Sequence, residues 1–218
     1  MAAMMMELYS YFRSSAAYRV RIALNLKQLP YQYKAIHLVR SGGEQHGADY
    51  IKLNPLGLVP TLIDGNNVLT QSLAIIEYLD EAYPDICRLL PVEIEQRAQA
   101  RSLAQLVACD IHPLNNLRVL KYLSNELSAN KERLNTWYAH WIKIGFDAFE
   151  QVLKRTAGEF CLADEPTIAD CCLVPQVFNA HRFQVDLSPY KNIRKIFHTC
   201  QTLSAFKEAS PENQPDAA

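Results

Sequence analysis

One arginine and two serines stand together at Arg13-Ser14-Ser15. A short apolar strand runs to Tyr9. After the serines a helical pattern begins, with Val20, Ala23 and Leu24 on one face and Ile22 and Leu26 beside it. Two hydroxyls and a guanidinium therefore lie where a strand feeds a helix N-terminus. The first N–H groups of a helix have no intrahelical partner and meet the positive end of the helix dipole. Such a spot holds an anion, and a thiolate is an anion.

Two further segments could serve the same chemistry. In Asn54–Leu62, Pro60 falls where a third strand starts. A proline there tolerates a cis peptide bond, which turns the backbone of Val59 towards a peptide-like ligand; an ordinary trans proline at a strand start fits the local pattern as well. Gln71-Ser72 opens an amphipathic helix. Ser72 fits as its N-cap, which is a sufficient role in itself. The sharper reading has Gln71, Ser72 and the helix N-terminus binding a carboxylate.

Short strands and helices must position these groups. Strands are expected at Met6–Tyr9, Tyr31–Ile36, Thr61–Ile63 and Val68–Thr70, and helices at Ser15–Leu26 and Ser72–Tyr83, with a weaker turn at Glu44–Lys52. Asp64-Gly65-Asn66-Asn67 is a hairpin turn, so the last two strands are antiparallel. This order implies a small mixed sheet flanked by helices. After a linker around Pro84 and Pro91 no further strand pattern is present. Glu93–Leu127 reads as one long amphipathic helix kinked at Pro113, succeeded by Lys131–Arg155, Thr167–Phe178 and a last helix after Tyr190. Thr167–Asp170 reads as a capping box with Asp in place of Glu. Ser210–Ala218, polar with two prolines, is expected to fray.

The bulk properties exclude several classes. With 218 residues, 49% hydrophobic and 21% charged, the chain builds one or two globular domains. A net charge of −1 gives it no general attraction to nucleic acid or an anionic membrane. The opening residues lack a basic n-region and meet Glu7 too soon for a signal peptide. No apolar run reaches the roughly 18 residues of a membrane span. Cysteines 87, 109, 161, 171, 172 and 200 form no C-x-x-C pair and read as reduced, mostly buried thiols of a cytoplasmic protein. The His and Cys spacings match no zinc pattern, so no metal is expected.

Taken in series, four motifs carry a family resemblance: Ser14-Ser15 with Arg19–Leu24, Val59–Leu62, Gln71–Leu79 and Ala169–Val177. The chain resembles the glutathione transferases and, among them, the zeta class that contains the maleylacetoacetate isomerases. The resemblance spans nearly the whole chain and implies a thioredoxin-like domain with a mixed four-stranded sheet (1–83), a linker (84–91) and an all-helical domain (92–218). It implies glutathione as cofactor and a homodimer. Ser14 would donate to the glutathione sulfur and lower its pKa, with Ser15 assisting. Val59, behind a cis bond to Pro60, would pair with the cysteinyl backbone. Gln71 and Ser72 would hold the γ-glutamyl end, and Gln45 the glycyl end. His112 and Asn116, four apart on one face of the long helix, would close the site; from its local sequence alone His112 reads as a capped or solvated group.

The implied reaction is the cis–trans isomerisation of a small dianionic cis-enoic acid, maleylacetoacetate, by reversible addition of the glutathione thiolate. Maleylpyruvate is the alternative substrate, and conjugation of glutathione to electrophiles such as α-halo acids the alternative activity. Arg13 and Arg182 would read the substrate carboxylates. Arg118 is a third candidate or a solvated surface residue, and Arg19 and Arg21 read as solvent-facing or structural. The chain departs from the family twice: Ala16 stands where a cysteine is frequent, and Gly57-Leu58 where Lys-Gln is frequent.

Overall fold

The computed structural model describes residues 5–217; residues 1–4, at the start of the expected first domain, and Ala218 lie outside the described residues. Two units emerge, one comprising residues up to Leu89 together with those from Gln201 onward, the other Leu90–Cys200.

The first unit is a four-stranded mixed sheet with helices. β1 (Met6–Ser10) buries Met6, Leu8 and Ser10 by strict alternation. It pairs parallel with β2 (Tyr31–Ala35) and antiparallel with β3 (Thr61–Asp64), and β3 pairs antiparallel with β4 (Asn67–Thr70), giving the order β2-β1-β3-β4. Gly65, at φ +58°, supplies the left-handed residue of the β3–β4 hairpin. Asp64 in that turn accepts the hydroxyls of Tyr78 and Tyr83 at 2.8 and 2.7 Å, which fastens α3 (Ser72–Ala82) to the hairpin. α1 (Ser15–Leu26) contributes Val20, Ile22, Ala23 and Leu24 to the core, all inaccessible, and Ile75, Ile76 and Leu79 of α3 join them. The weak helical turn over 44–52 becomes a 3₁₀ turn (Glu44–His46) and α2 (Ala48–Leu53).

Arg19 and Arg21, read as solvent-facing or structural, are structural: they are 2% and 0% exposed. The Arg21 guanidinium is satisfied by Ser10 Oγ and by the carbonyls of Ala209, Tyr11 and Phe12, at 2.9–3.4 Å, which is why a cation survives burial there. The end of the chain does not fray. α9 (Ser204–Glu208) packs on α1, and Gln214 Nε2 donates to the carbonyls of Glu208 and Ser210, both at 2.8 Å. Residues 201–217 therefore group with the sheet and not, as the 92–218 boundary had it, with the helical unit.

The second unit is helical. The expected single helix over 93–127 is instead α4 (Ile94–Gln105), a π-helical turn (Leu106–Ile111), a non-helical stretch at 112–116 and α5 (Leu117–Asn125). Pro113 is the local cause, since it has no N–H to continue the ladder and its ring crowds the preceding turn. The His112 N–H reaches back five residues to Val107 O at 2.9 Å. Ile111 is set into Gly145 of α6 (Lys131–Thr156), where any Cβ would collide with its side chain. α7 (Ile168–Arg182) starts at the expected box, Thr167 N–H donating to Asp170 Oδ2 at 2.8 Å, but runs through Pro175 four residues beyond Phe178. α8 (Lys191–Cys200) comes next, its first N–H groups received by the buried Glu150 carboxylate.

Candidate active site

The sheet register explains how three distant segments meet. Tyr9 pairs with Thr61, and Thr61 with Thr70, so one rung joins the C-terminal end of β1, the start of β3 and the end of β4. Arg13-Ser14-Ser15 lies just after β1, Val59-Pro60 just before β3, and Gln71-Ser72 just after β4. All three loops leave the same end of the sheet.

Ser14 is the N-cap of α1. At φ −71° and ψ 115° its Oγ accepts the Ala17 N–H at 3.2 Å, and its own N–H closes a turn onto Tyr11 O at 2.9 Å. Its oxygen is thus an acceptor inside the protein, and its hydroxyl proton is left to donate outward. Ser15 is buried at the first helical position. Arg13 is exposed, its guanidinium 4.7 Å from the centre of the Phe12 ring and donating to the Tyr11 hydroxyl at 3.3 Å.

The Val59–Pro60 bond is cis. The chain leading to it is pinned at Leu58 O, which accepts from Tyr50 Oη at 2.6 Å and Asn54 Nδ2 at 2.7 Å; neither residue was singled out by the sequence, because their acceptor is a backbone atom. Gly57 has φ +60°, and a Cβ there would lie 3.1 Å from His46 Nδ1 and 3.2 Å from Gln45 O. Packing therefore favours the glycine at this departure from the family pattern.

Gln71 takes φ +70°, a conformation that L residues reach at a cost of about 1–3 kcal/mol, and its side chain makes no capping bond. Gln71, not Ser72, is the N-cap of α3. Ser72 lies one residue later, buried, with its Oγ accepting from Arg19 Nη1 at 3.1 Å. A buried guanidinium thus adds positive charge beside a second helix N-terminus. An exposed amide held in a strained backbone above that terminus suits a charged ligand end. Gln45 is folded inward, 6% exposed, with Nε2 3.1 Å from His46 Nε2 and a buried Oε1 without a partner among the described residues. Gly43, at φ +114°, leaves room for it; a Cβ there would sit 2.5 Å from that amide. These features fit glutathione: two helix N-termini, a hydroxyl donor at one of them, a free backbone edge and an orphaned amide oxygen.

The remaining predicted residues belong to the helical unit. His112 and Asn116 are half-buried, but they do not share a helix face, because the helix ends at Ile111 and both lie in the non-helical stretch. Asn116 is the N-cap of α5, accepting the Arg118 N–H at 3.1 Å. Arg182 is exposed in the last turn of α7, 5.2 Å from the Phe183 ring, which stacks on Tyr138 at 3.6 Å. Burial pushes the Tyr138 phenol up while the Arg182 charge pulls it down. Two of the chain's own thiols, Cys161 and Cys200, are poor nucleophile candidates, because burial raises both well above the ordinary thiol range.

Comparison with known proteins agrees with this geometry. The profile of the glutathione S-transferase N-terminal domain matches residues 13–82. A Vibrio cholerae protein named as a probable maleylacetoacetate isomerase is 55% identical, over 96% of this chain and 97% of its own. The holo structure of a bacterial maleylpyruvate isomerase of the zeta class superposes with a TM-score of 0.94 at 48% identity, covering 97% of this chain and 100% of that one. The maleylacetoacetate isomerase of Methylobacterium extorquens AM1, solved with malonate and glutathione bound, gives a TM-score of 0.92 at 40% identity over 97% of this chain and 99% of that one. With a thioredoxin-like sheet, a helical remainder and relatives of this identity across almost its full length, the chain belongs to the glutathione transferase family, in its zeta class.

Proposed function

We propose that the protein is a glutathione-dependent cis–trans isomerase that converts maleylacetoacetate to fumarylacetoacetate in aromatic amino-acid catabolism. The observation that carries the reading is the single rung of the sheet that brings Ser14, Val59 and Gln71-Ser72 to one end. Bound glutathione supplies the thiolate that adds reversibly to the cis double bond. Ser14 donates to that sulfur, and the first N–H groups of α1 hold it ionised; a free thiol near pKa 8.5 is only a few per cent thiolate at neutral pH. Ser15 supports this terminus. Val59 pairs with the cysteinyl backbone, Gln71 and Ser72 receive the γ-glutamyl end, and Gln45 turns its orphaned amide to the glycyl end. Arg13 and Arg182 read the substrate carboxylates, and His112 and Asn116 contribute from the helical unit.

Maleylpyruvate is the second reading, favoured by the fold match to a maleylpyruvate isomerase. Purified protein is assayed with each acid, with and without glutathione. Isomerisation of maleylacetoacetate only with glutathione supports the proposal. Turnover of maleylpyruvate alone selects the second reading, and conjugation of α-halo acids without isomerisation replaces both with a transferase.

The protein works as a twofold homodimer in the cytoplasm, with a glutathione-binding domain at 1–83, a linker at 84–91 and a helical domain from 92, residues 201–217 grouping back with the first domain. Exposed apolar side chains at Leu56, Val68, Val92 and Ile94 support a covered surface, and free thiols support a reducing compartment. Sedimentation at micromolar concentration should give twice 24.8 kDa; a stable monomer refutes the dimer. Among the described residues no helix is long and apolar enough to cross a membrane.

A further inference from the structure

The backbone of Phe12, immediately before Arg13 and Ser14, is held by side chains at both its N–H and its C=O. Its carbonyl accepts from Arg21 Nη2 at 3.0 Å, and its N–H donates to Asp216 Oδ2 at 3.1 Å, across 204 residues of sequence. The other carboxylate oxygen, Oδ1, accepts the Tyr33 hydroxyl at 2.7 Å. Tyr33 lies on β2 opposite Leu8 of β1, so Asp216 is tied to the sheet itself. The segment that delivers Asp216 is held from within by Gln214, whose amide bridges two carbonyls and whose own carbonyl accepts the Ala217 N–H at 3.1 Å.

A cation on the Phe12 C=O and an anion on the Phe12 N–H make two charge-assisted bonds, one to each of the peptide groups that flank the Phe12 Cα, each roughly twice as strong as a neutral bond. Those two peptide groups set the course of the chain into Arg13 and Ser14. The Phe12 ring lies under the Arg13 guanidinium, and Tyr11 O, which accepts Arg21 Nη1 at 3.4 Å, also receives the Ser14 N–H. Arg21 also braces Ser10 and Ala209, so its removal disturbs more than the loop. Asp216 hydrogen-bonds the loop at the Phe12 N–H, and its charge also favours the Arg21 guanidinium.

We propose that Asp216 is a positioning residue for the active-site loop: by holding the Phe12 N–H against the pull of Arg21 on the Phe12 carbonyl, it fixes where Ser14 and Arg13 present their donors. It touches neither glutathione nor substrate. The inference rests on the reading that Ser14 faces the glutathione sulfur. Without the carboxylate the Phe12 N–H has lost its acceptor, and the turn from Tyr11 to Ser14 shifts. A displacement of about 1 Å at a catalytic group costs up to about 100-fold. The Ser14–Tyr11 bond and Arg21 remain, so the expected loss is about tenfold, matching a rise of about one unit in the bound thiol's pKa.

The experiment uses the full chain with glutathione and compares Asp216→Ala, Asp216→Asn, Tyr33→Phe and Ser14→Ala. The ultraviolet absorbance of bound glutathione thiolate is followed against pH, alongside kcat, KM and thermal melting. Asp216→Ala should raise the bound-thiol pKa by about one unit and lower kcat about tenfold with little change in the KM for glutathione. Asp216→Asn, which keeps an acceptor for the Phe12 N–H, should restore most of both. Tyr33→Phe keeps the carboxylate but frees it from the sheet, and should give a smaller shift in the same direction; if the alanine variant does not fold, this variant carries the test. If melting falls but the thiol pKa and kcat stay at wild-type values, Asp216 is only a tether and the proposal is wrong. If Ser14→Ala itself leaves the thiol pKa unchanged, the reading of Ser14 fails and takes the proposal with it. If Ser14→Ala shifts it and neither Asp216→Ala nor Tyr33→Phe does, the positioning role alone is refuted.

Discussion

Replacing Ser14 with alanine removes two functions of one oxygen, and the structure lets their sizes be separated. Oγ accepts the Ala17 N–H at 3.2 Å, so alanine uncaps α1 at a cost of about 1 kcal/mol. In a protein of this size that lowers Tm by about 2–4 °C. On the proposed reading, the lost hydroxyl proton is the donor to the glutathione sulfur. Removing one such donor to developing charge costs about 10²–10³ in rate. A thiolate is a softer acceptor than an oxyanion, so the low end applies: about 100-fold, or about 2.7 kcal/mol. Folded domains hold about 5–15 kcal/mol of stability, so an uncapping of this size leaves the enzyme folded at room temperature and cannot produce the rate loss. Ser14→Asp sharpens the test. Aspartate caps a helix as well as serine does, but it offers no proton and sets a negative charge beside the thiolate. It should melt near wild type and be less active than the alanine variant. Steady-state kinetics and thermal melting on the three proteins decide the matter. Near-wild-type turnover in Ser14→Ala, or an Asp variant more active than the Ala variant, would show that Ser14 is only a cap.

Arg13→Lys and Arg182→Lys should each keep the charge yet lower kcat/KM for the diacid about tenfold, because lysine cannot reproduce two parallel hydrogen bonds to a carboxylate; calorimetric collapse of glutathione affinity with an unchanged substrate KM would reverse their roles. Gly145→Ala should destabilise by about 1–3 kcal/mol through collision with Ile111, and the same change in an Ile111→Ala background should cost under about 0.5 kcal/mol. Additive losses in denaturant unfolding would mean that this contact does not set the break between α4 and α5. Arg21→Met should cost at least about 3 kcal/mol, since it leaves the buried carbonyls of Ala209 and Phe12 without that donor and removes one from Ser10 Oγ, and a loss below about 1 kcal/mol would contradict the buried network.

Features that act over one helical turn or one hairpin could be read from the chain alone. Ser14 as a cap, the Asp64–Asn67 turn, the Thr167–Asp170 box and the starts of α1, α6 and α7 each depend on residues within a few positions of one another. The three candidate-site segments were legible for the same reason, since strand ends and helix N-termini announce themselves locally. Their convergence on one site was expected, but its physical cause was not legible, because it is a rung of hydrogen bonds between strands some 50 residues apart. Ser72 and Gln71 exchanged the capping position because Gln71 entered a positive φ that no local propensity favours. The helix over 93–127 broke where Pro113 and the fit of Ile111 into Gly145, over thirty residues on, acted together. Arg21 was open between a solvent-facing and a structural role until Ala209, 188 residues away, supplied an acceptor. Asp216 looked like part of a fraying end until Phe12 and Tyr33 supplied donors. The sequence determined where chain ends of strands and helices would offer donors and anion sites, because those properties are set by backbone geometry and the adjacent side chain. Only the tertiary structure decided which buried charges are satisfied and which loops are held, because a charge leaves water only for partners that the folded chain brings to it from far along the sequence.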